Sequence, residues 1–214
     1  MSARGIFIIF EGGEGVGKST QIARLAARLE ELGRTVTVLR EPGSTAIGEQ
    51  IRRVLLDPEN TELDAFAELL LYEAARAQMV GQVVVPALER GEVVLCDRFN
   101  DSTMAYQGVA RGLGIETVAQ VDEVACRGIV PDRTILLVND TAASLERARK
   151  AGGADRIESE SIDFHEAVHR AFEEIAEHDP ERVRRVAMIP GDIDGTADAV
   201  FEQVADLLGE GGPR

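Results

Sequence analysis

The sequence predicts an α/β fold, a five-stranded parallel sheet covered by helices on both faces, and two observations carry that reading. Short apolar, β-branched runs alternate along the chain with segments of helical periodicity, the pattern of strands joined by crossover helices. Between the first strand and the first helix lies Glu11 to Thr20, EGGEGVGKST, a glycine-rich turn that opens a helix.

Taken in order, Ile6 to Phe10 form the first strand, and a helix with Ile22, Leu25, Ala26 and Leu29 on one face closes at Gly33. Thr35 to Leu39 are the second strand, followed by the loop Arg40-Glu41-Pro42-Gly43-Ser44. Thr45 to Leu56 read as a helix stopped by Asp57-Pro58. Thr61 to about Arg90 read as one long helix opened by a Thr-x-x-Asp cap and kinked in its second half by Pro86. Glu92 to Cys96 make the third strand, ending in Asp97-Arg98; Arg133 to Val138 make the fourth and Val186 to Ile189 the fifth. Helices are expected over Ile115 to Cys126, Thr141 to Arg149, Ile162 to Glu177 and Ala197 to Leu208. Residues 1–208 read as a single domain and Gly209 to Arg214 as a frayed tail.

Composition narrows the function classes. A chain of 214 residues that is 44% hydrophobic can bury a full core. Its formal net charge of −15 argues against duplex nucleic acid or an anionic membrane as partner, because both are polyanions held by Lys and Arg. Any phosphate site must therefore be a local basic pocket. Cys96 and Cys126 have neither metal-ligand spacing nor a disulfide framework, and no signal peptide or bilayer-length apolar run is present, so a cytoplasmic protein is expected.

Gly12, Gly17, Lys18 and Ser19 fit G-x-x-x-x-G-K-[ST]. Glycines let the backbone curl so that successive N–H groups and a helix N-terminus face a phosphate chain. Gly12, Gly13, Glu14, Gly15, Val16, Gly17, Lys18, Ser19 and Thr20 are thus the expected ATP cradle, with Lys18 reaching the β- and γ-phosphates and Ser19 ligating Mg²⁺. The chain has 21 arginines and two lysines, Lys18 and Lys150; at Lys18 a slim point charge fits where a planar fork would not. Ligands of open parallel sheets bind beyond the carboxyl ends of the strands, which directs attention to the loops after residues 11, 40, 97 and 139. Asp97 closes an apolar strand, as does the aspartate that orients Mg²⁺ in phosphate-loop proteins. Asn139-Asp140 lacks the lysine of a guanine-selective N-K-x-D segment, which disfavours a GTPase switch. Leu69, Tyr72, Arg76 and Met79 share one helix face. Arg76 on that stripe wants an anionic or carbonyl partner, either a ligand or a nearby glutamate, and Tyr72 offers a flat face to a base.

Four further segments carry a family resemblance: REPGST at Arg40 to Thr45, LLLYEAARAQ at Leu69 to Gln78, DRFNDSTMAYQG at Asp97 to Gly108 and ERARKAGGADRIE at Glu146 to Glu158. In this order, and together with the phosphate loop, they resemble thymidylate kinase, a nucleoside monophosphate kinase fold that transfers the γ-phosphoryl of ATP to dTMP and is typically a homodimer. The resemblance implies an acceptor region over about 40–110. There Arg98 holds the dTMP phosphate, Tyr72 stacks on thymine in place of the family's usual Phe, Arg76 bonds a base carbonyl, and Thr103 lies near the base edge. Tyr106 and Gln107 would flank the deoxyribose, Glu14 would face the sugar 3′-hydroxyl, Pro42 belongs to a segment often cis at this proline, and Arg52 stands on the acceptor side. Val138 departs from the aspartate common at that position.

An acceptor phosphate is already anionic near neutral pH, so transfer needs positioning and cations rather than a general base. None of Gly13, Glu14, Gly15 and Val16 is basic. The resemblance is to the branch whose lid, here about 147–160 with Arg147, Arg149, Lys150 and Arg156, supplies the missing charge; on composition alone the same segment could be a solvated helix end. Lys18, Arg98, Arg149, Lys150 and Arg156 are the expected catalytic residues. Two other classes share the loop: a kinase for a different small molecule, and an ATPase switch with no small acceptor.

Overall fold

The computed structural model describes residues 4–141, 144–147, 155–188 and 191–209. Strand β1 (Ile6–Glu11) runs into a loop and then α1 (Lys18–Glu31). Strand β2 (Val36–Arg40) leads to α2 (Ala46–Leu56) and α3 (Ala65–Met79), and a π-helical stretch, Val80–Val84, joins α3 to α4 (Val85–Glu89). After β3 (Val93–Asp97) come the one-turn α5 (Asn100–Thr103), a second π-helical stretch, Met104–Ala110, and α6 (Ile115–Cys126). The rest is β4 (Arg133–Val138), α7 (Ile162–His178), β5 (Val183–Ala187) and α8 (Ile193–Glu202), with a 3₁₀ turn at Ala205–Leu208.

The five strands are parallel, as the alternation of elements predicts, and stand in the order β2-β3-β1-β4-β5. β1 is central, and its side chains alternate between the two faces of the sheet. Ile8 and Phe10 pack with Leu25, Leu29 and Val200 on one side. Phe7 and Ile9 pack with Met79, Val84 and Phe99 on the other. Burial on both faces is what fixes the strand's register, and the loop after it inherits that rigidity.

Two expected helices differ in their bounds. Thr61 does not open the long helix: the Asp64 carboxylate accepts from Phe66 N at 2.9 Å and Ala67 N at 3.2 Å, so the helix starts one turn later. The disturbance expected from Pro86 takes the form of the π-helical turn before it, in which Val85 N donates to Val80 O. Pro86 has no N–H to offer the Gln82 carbonyl, and the widened turn accommodates the missing bond. The last expected helix starts earlier, at Ile193, where Asp192 accepts from Gly195 N at 2.7 Å.

The fifth strand also lies earlier than expected, at Val183–Ala187. Its Arg184 and Arg185 hid it in the sequence, because on this edge strand the guanidiniums reach outward to Glu181 and Glu173. Of the helix expected over Thr141 to Arg149, residues 144–147 are helical, and Arg149 and Lys150 lie outside the described residues. So does the expected tail beyond Gly209. Cys96 and Cys126 are buried free thiols. Among the described residues, no helix is long and apolar enough to cross a membrane.

Candidate active site

Beyond the carboxyl ends of β1, β2 and β3 opens a cavity of about 540 Å³. One wall is the loop between β1 and α1. Gly12 (φ 130°), Gly15 (φ 64°) and Gly17 (φ 104°) take backbone conformations that side-chain-bearing residues rarely adopt. At Gly12 the choice is forced twice, because a Cβ there would stand 2.4 Å from Leu137 O. Lys18 Nζ folds back to donate to Gly12 O at 3.1 Å and Gly13 O at 3.0 Å. Burial and then the charge of Arg98 push its pKa below the ordinary value. Glu14 to Thr20 line the cavity, while Gly12 and Gly13 serve it through the carbonyls that hold Lys18.

Ser19 Oγ donates to Asp97 Oδ2 at 3.3 Å, and Lys18 Nζ stands 4.0 Å from Asp97 Oδ1. The pair expected to serve Mg²⁺ is therefore assembled from β3 and the first turn of α1. Among the described residues no cluster of three or more His, Cys, Asp or Glu could hold a metal alone. A hydroxyl and a single carboxylate are hard oxygen donors suited to an ion that keeps its remaining positions for water and substrate phosphates.

Arg98, the residue after β3, has a positive φ of 71°, and its N–H donates to Phe10 O at 2.9 Å. That backbone turn aims the side chain across the cavity. Its Nη2 donates to Glu14 Oε1 at 2.6 Å, its Nη1 donates to Ser102 Oγ at 3.1 Å, and its guanidinium lies over the Tyr106 ring, 5.1 Å from the centroid. Burial alone would raise the Glu14 pKa, but Arg98 and Lys18 outweigh it and hold the carboxyl below its ordinary value.

Beneath Arg98 sits Glu11, a residue the sequence reading passed over. It is fully buried and accepts from Phe99 N at 2.9 Å, Ser102 N at 3.1 Å and Ser102 Oγ at 2.6 Å. Burial raises its pKa to about 7 in spite of Arg98 nearby. A glutamate closing an otherwise apolar strand was the available signal.

The residues expected on the acceptor side, Pro42, Arg52, Tyr72, Arg76, Arg98, Thr103, Tyr106 and Gln107, all line the same cavity. The Glu41–Pro42 peptide is cis, and Arg52 Nη1 donates to Pro42 O at 2.8 Å. Tyr106 OH donates to Glu14 at 3.1 Å, and its ring packs edge-on against Phe164 and Phe172.

Arg76 is the most heavily engaged side chain of the site. Nε and Nη2 donate to Glu41, Nη1 to Glu73 at 2.7 Å and Asp122 at 2.8 Å, and Nη2 also to Thr103 Oγ1 at 2.7 Å. Every N–H of the guanidinium has a protein acceptor, so the glutamate pairing left open by the sequence is present. Glu41 and Asp122 are distant in sequence, and no local spacing announces them.

In the basic segment, Arg147 lines the cavity and its Nε donates to Gly15 O at 3.2 Å, over the phosphate loop. Arg156 is turned away: it pairs with Glu68 at 2.6 Å, and its Nε donates to Leu55 O at 2.8 Å. Its neighbours Asp155 and Ile157 face the cavity instead.

A parallel sheet in this strand order, a phosphate loop after its central strand and an arginine-rich acceptor end in the same cavity define a P-loop nucleoside monophosphate kinase. The family model described as thymidylate kinase matches residues 10–189, and the chain belongs to that family. It is 45% identical over 206 residues to a thymidylate kinase of Pelobacter propionicus, covering 94% of each chain. It is 48% identical over 180 residues to one of Deinococcus radiodurans, covering 84% of this chain and 87% of that one. A crystal structure of thymidylate kinase from Ehrlichia chaffeensis superimposes with a TM-score of 0.78 at 29% identity, covering 94% of this chain and 99% of that one.

Proposed function

We infer that this enzyme transfers the γ-phosphoryl group of ATP to dTMP, giving dTDP and ADP. The observation that carries the reading is that one cavity joins the phosphate loop, through Lys18 and Arg98, to the acceptor end marked by Tyr72, Thr103, Tyr106 and Gln107. Donor and acceptor polyanions meet where cations are already fixed.

The loop N–H groups and Lys18 hold the donor phosphates, and Arg98 holds the acceptor phosphate, so the acceptor oxygen attacks from a fixed position. Ser19 and Asp97 would hold Mg²⁺, which would supply charge neutralisation on the donor. Tyr72 stacks on thymine. Arg76 reads a base carbonyl by sharing the N–H it gives Thr103 Oγ1, which places Thr103 at the base edge. Tyr106 and Gln107 border the deoxyribose, Glu14 faces its 3′-hydroxyl, and Pro42 and Arg52 shape the acceptor wall. Arg147, together with Arg149 and Lys150, closes over ATP. Arg156, expected to join them, is better read as an anchor of that segment, since its guanidinium is engaged by Glu68 and Leu55.

Residues 1–208 act as one kinase domain, followed by a tail at 209–214. The enzyme works as a cytoplasmic homodimer; exposed Ile47 and Val54 on α2 and Phe66 and Leu70 on α3, two helices packed together, support an apolar subunit contact. Chromatographic measurement of dTDP tests the reaction. Product is expected only with ATP, dTMP and Mg²⁺ together, whereas ADP released equally fast without dTMP would make the protein an ATPase.

A further inference from the structure

Glu11 closes the central strand β1, and its side chain is fully buried. Burying a carboxylate is costly unless its oxygens are bonded, and an apolar residue would continue the strand without that cost. The bonds it makes run to one short segment. Phe99, at the start of α5, has no side-chain oxygen with which to cap that helix. Glu11 Oε1 reaches across from β1 in its place, accepting from Phe99 N at 2.9 Å and Ser102 N at 3.1 Å, and Oε2 accepts from Ser102 Oγ at 2.6 Å.

The residue just before that segment is Arg98. Its backbone N–H donates to Phe10 O at 2.9 Å, and its Nη1 donates to Ser102 Oγ at 3.1 Å. Two consecutive residues of β1 therefore hold Arg98: Phe10 by the backbone and Glu11, through Ser102, by the guanidinium. Nη1 stands 4.0 Å from Glu11 Oε2, too far for a hydrogen bond, so the hydroxyl is the link. A hydroxyl has one hydrogen, and giving it to an ionised Glu11 leaves only lone pairs to face Arg98. The same turn is braced from the opposite side, where Asp101 accepts from Arg182 Nη1 at 2.7 Å and Nη2 at 3.1 Å. Arg98 and Ser102 line the cavity, and Glu11 stands behind them.

We propose that Glu11 is a positioning residue for phosphoryl transfer: acting through Ser102, it fixes the Arg98 guanidinium where the acceptor phosphate binds. The proposal rests on the dTMP-kinase reading. Glu14 holds Arg98 from the cavity side through Nη2, and Glu11 holds it from within the core through Nη1. A fork secured at Nη1 keeps its direction when a ligand competes for Nη2, and a cation kept in place before the reaction is what transfer between two polyanions requires.

Steady-state kinetics of the whole enzyme, with each substrate varied in turn, tests this. Glu11→Gln keeps the volume; its oxygen stays with the two backbone N–H groups, because turning the amide sets donor against donor, and its NH₂ then competes with Arg98 for Ser102 Oγ. The KM for dTMP is expected to rise about tenfold and kcat/KM for dTMP to fall on the order of a hundredfold, with the KM for ATP within about twofold of wild type. A merely structural role would lower the melting temperature or the active fraction, leaving both KM values unchanged or raising both; either result overturns the proposal. In the double variant Glu11→Gln, Ser102→Ala the loss should exceed that of the worse single variant by no more than about twofold, because the two act in series, whereas losses that multiply overturn the relay. If Glu11→Gln does not fold, Ser102→Ala alone must raise the KM for dTMP by about threefold or more at a constant KM for ATP, and an unchanged KM for dTMP overturns the proposal. A wild-type enzyme that makes no dTDP overturns the acceptor reading together with Glu11's part in it; one that makes dTDP and tolerates Glu11→Gln overturns the latter alone.

Discussion

Arg98 Nη2 donates to Glu14 Oε1 at 2.6 Å, so the residue assigned to the acceptor phosphate and the one assigned to its sugar hold each other across the cavity. The pair is partly buried, and Tyr106 OH joins it on the same carboxylate oxygen at 3.1 Å. A long arginine is thereby oriented before the ligand arrives, which lowers the entropic cost of binding a dianion. Replacing Glu14 by Ala frees Arg98 and removes the proposed sugar contact. Steady-state kinetics on Glu14→Ala should show kcat/KM for dTMP reduced on the order of a hundredfold, with the KM for ATP changed far less.

Tyr106 is the residue proposed to close the sugar side. Its ring packs edge-on at 6.1 Å from Phe164 and 6.3 Å from Phe172, so its position is set by α7 rather than by the ligand. Tyr106→Ala should narrow the preference for deoxyribose, because space opens for a 2′-hydroxyl. The ratio of kcat/KM between dTMP and its ribose counterpart measures this, and an unchanged ratio would remove Tyr106 from sugar selection.

Two buried carboxyls give the enzyme a pH signature. Burial raises Glu11, and likewise Glu73, from 4.5 to about 7. A raised carboxyl pKa means that the folded protein binds more protons than the unfolded chain between these values. Each group's contribution is fully present below about pH 4.5 and is lost as pH rises through about 7. Glu11→Gln and Glu73→Gln should each flatten the fall in stability across that window, relative to wild type. Urea unfolding at several pH values checks it, and a variant with the wild-type slope would show that its carboxyl titrates normally.

Arg147 reaches the phosphate loop through Gly15 O and lines the cavity there. Arg149 follows it in the basic segment. Arg149→Ala should lower kcat by on the order of a hundredfold or more and leave the KM for dTMP within a few-fold, the signature of an interaction made mainly in the transition state. A near-normal kcat would mean that Lys18, Arg98 and the metal suffice.

The strands were legible where the sheet buries both faces: β4 runs over the expected residues Arg133–Val138, and β1 extends the expected run by only Glu11. β5 was misplaced because an edge strand tolerates arginines that interrupt the apolar signal. Neither π-helical stretch was readable, since a shift of the hydrogen-bond partner by one residue leaves little trace in composition. The residues lining the cavity were largely recognisable from their motifs. Their partners were not: Glu41 meets Arg76, and Glu68 meets Gln107 and Arg156, only because the loop after β2, α3, the π-helical stretch Met104–Ala110 and the turn around Arg156 converge in space. Motifs record which groups face a ligand, while the contacts that hold those groups come from long-range packing.

The claim on which the rest depends is that the acceptor end is built for dTMP. Tyr72, Arg76 and Thr103 suit a pyrimidine carrying a carbonyl at its 4 position, and CMP presents an amino group there instead. ADP production by the wild-type enzyme, measured side by side with dTMP, CMP, AMP and GMP at equal concentration, tests this most directly. The account predicts that dTMP raises the rate far above the ATP-only background and that the other three do not. Equal activity with CMP would contradict it.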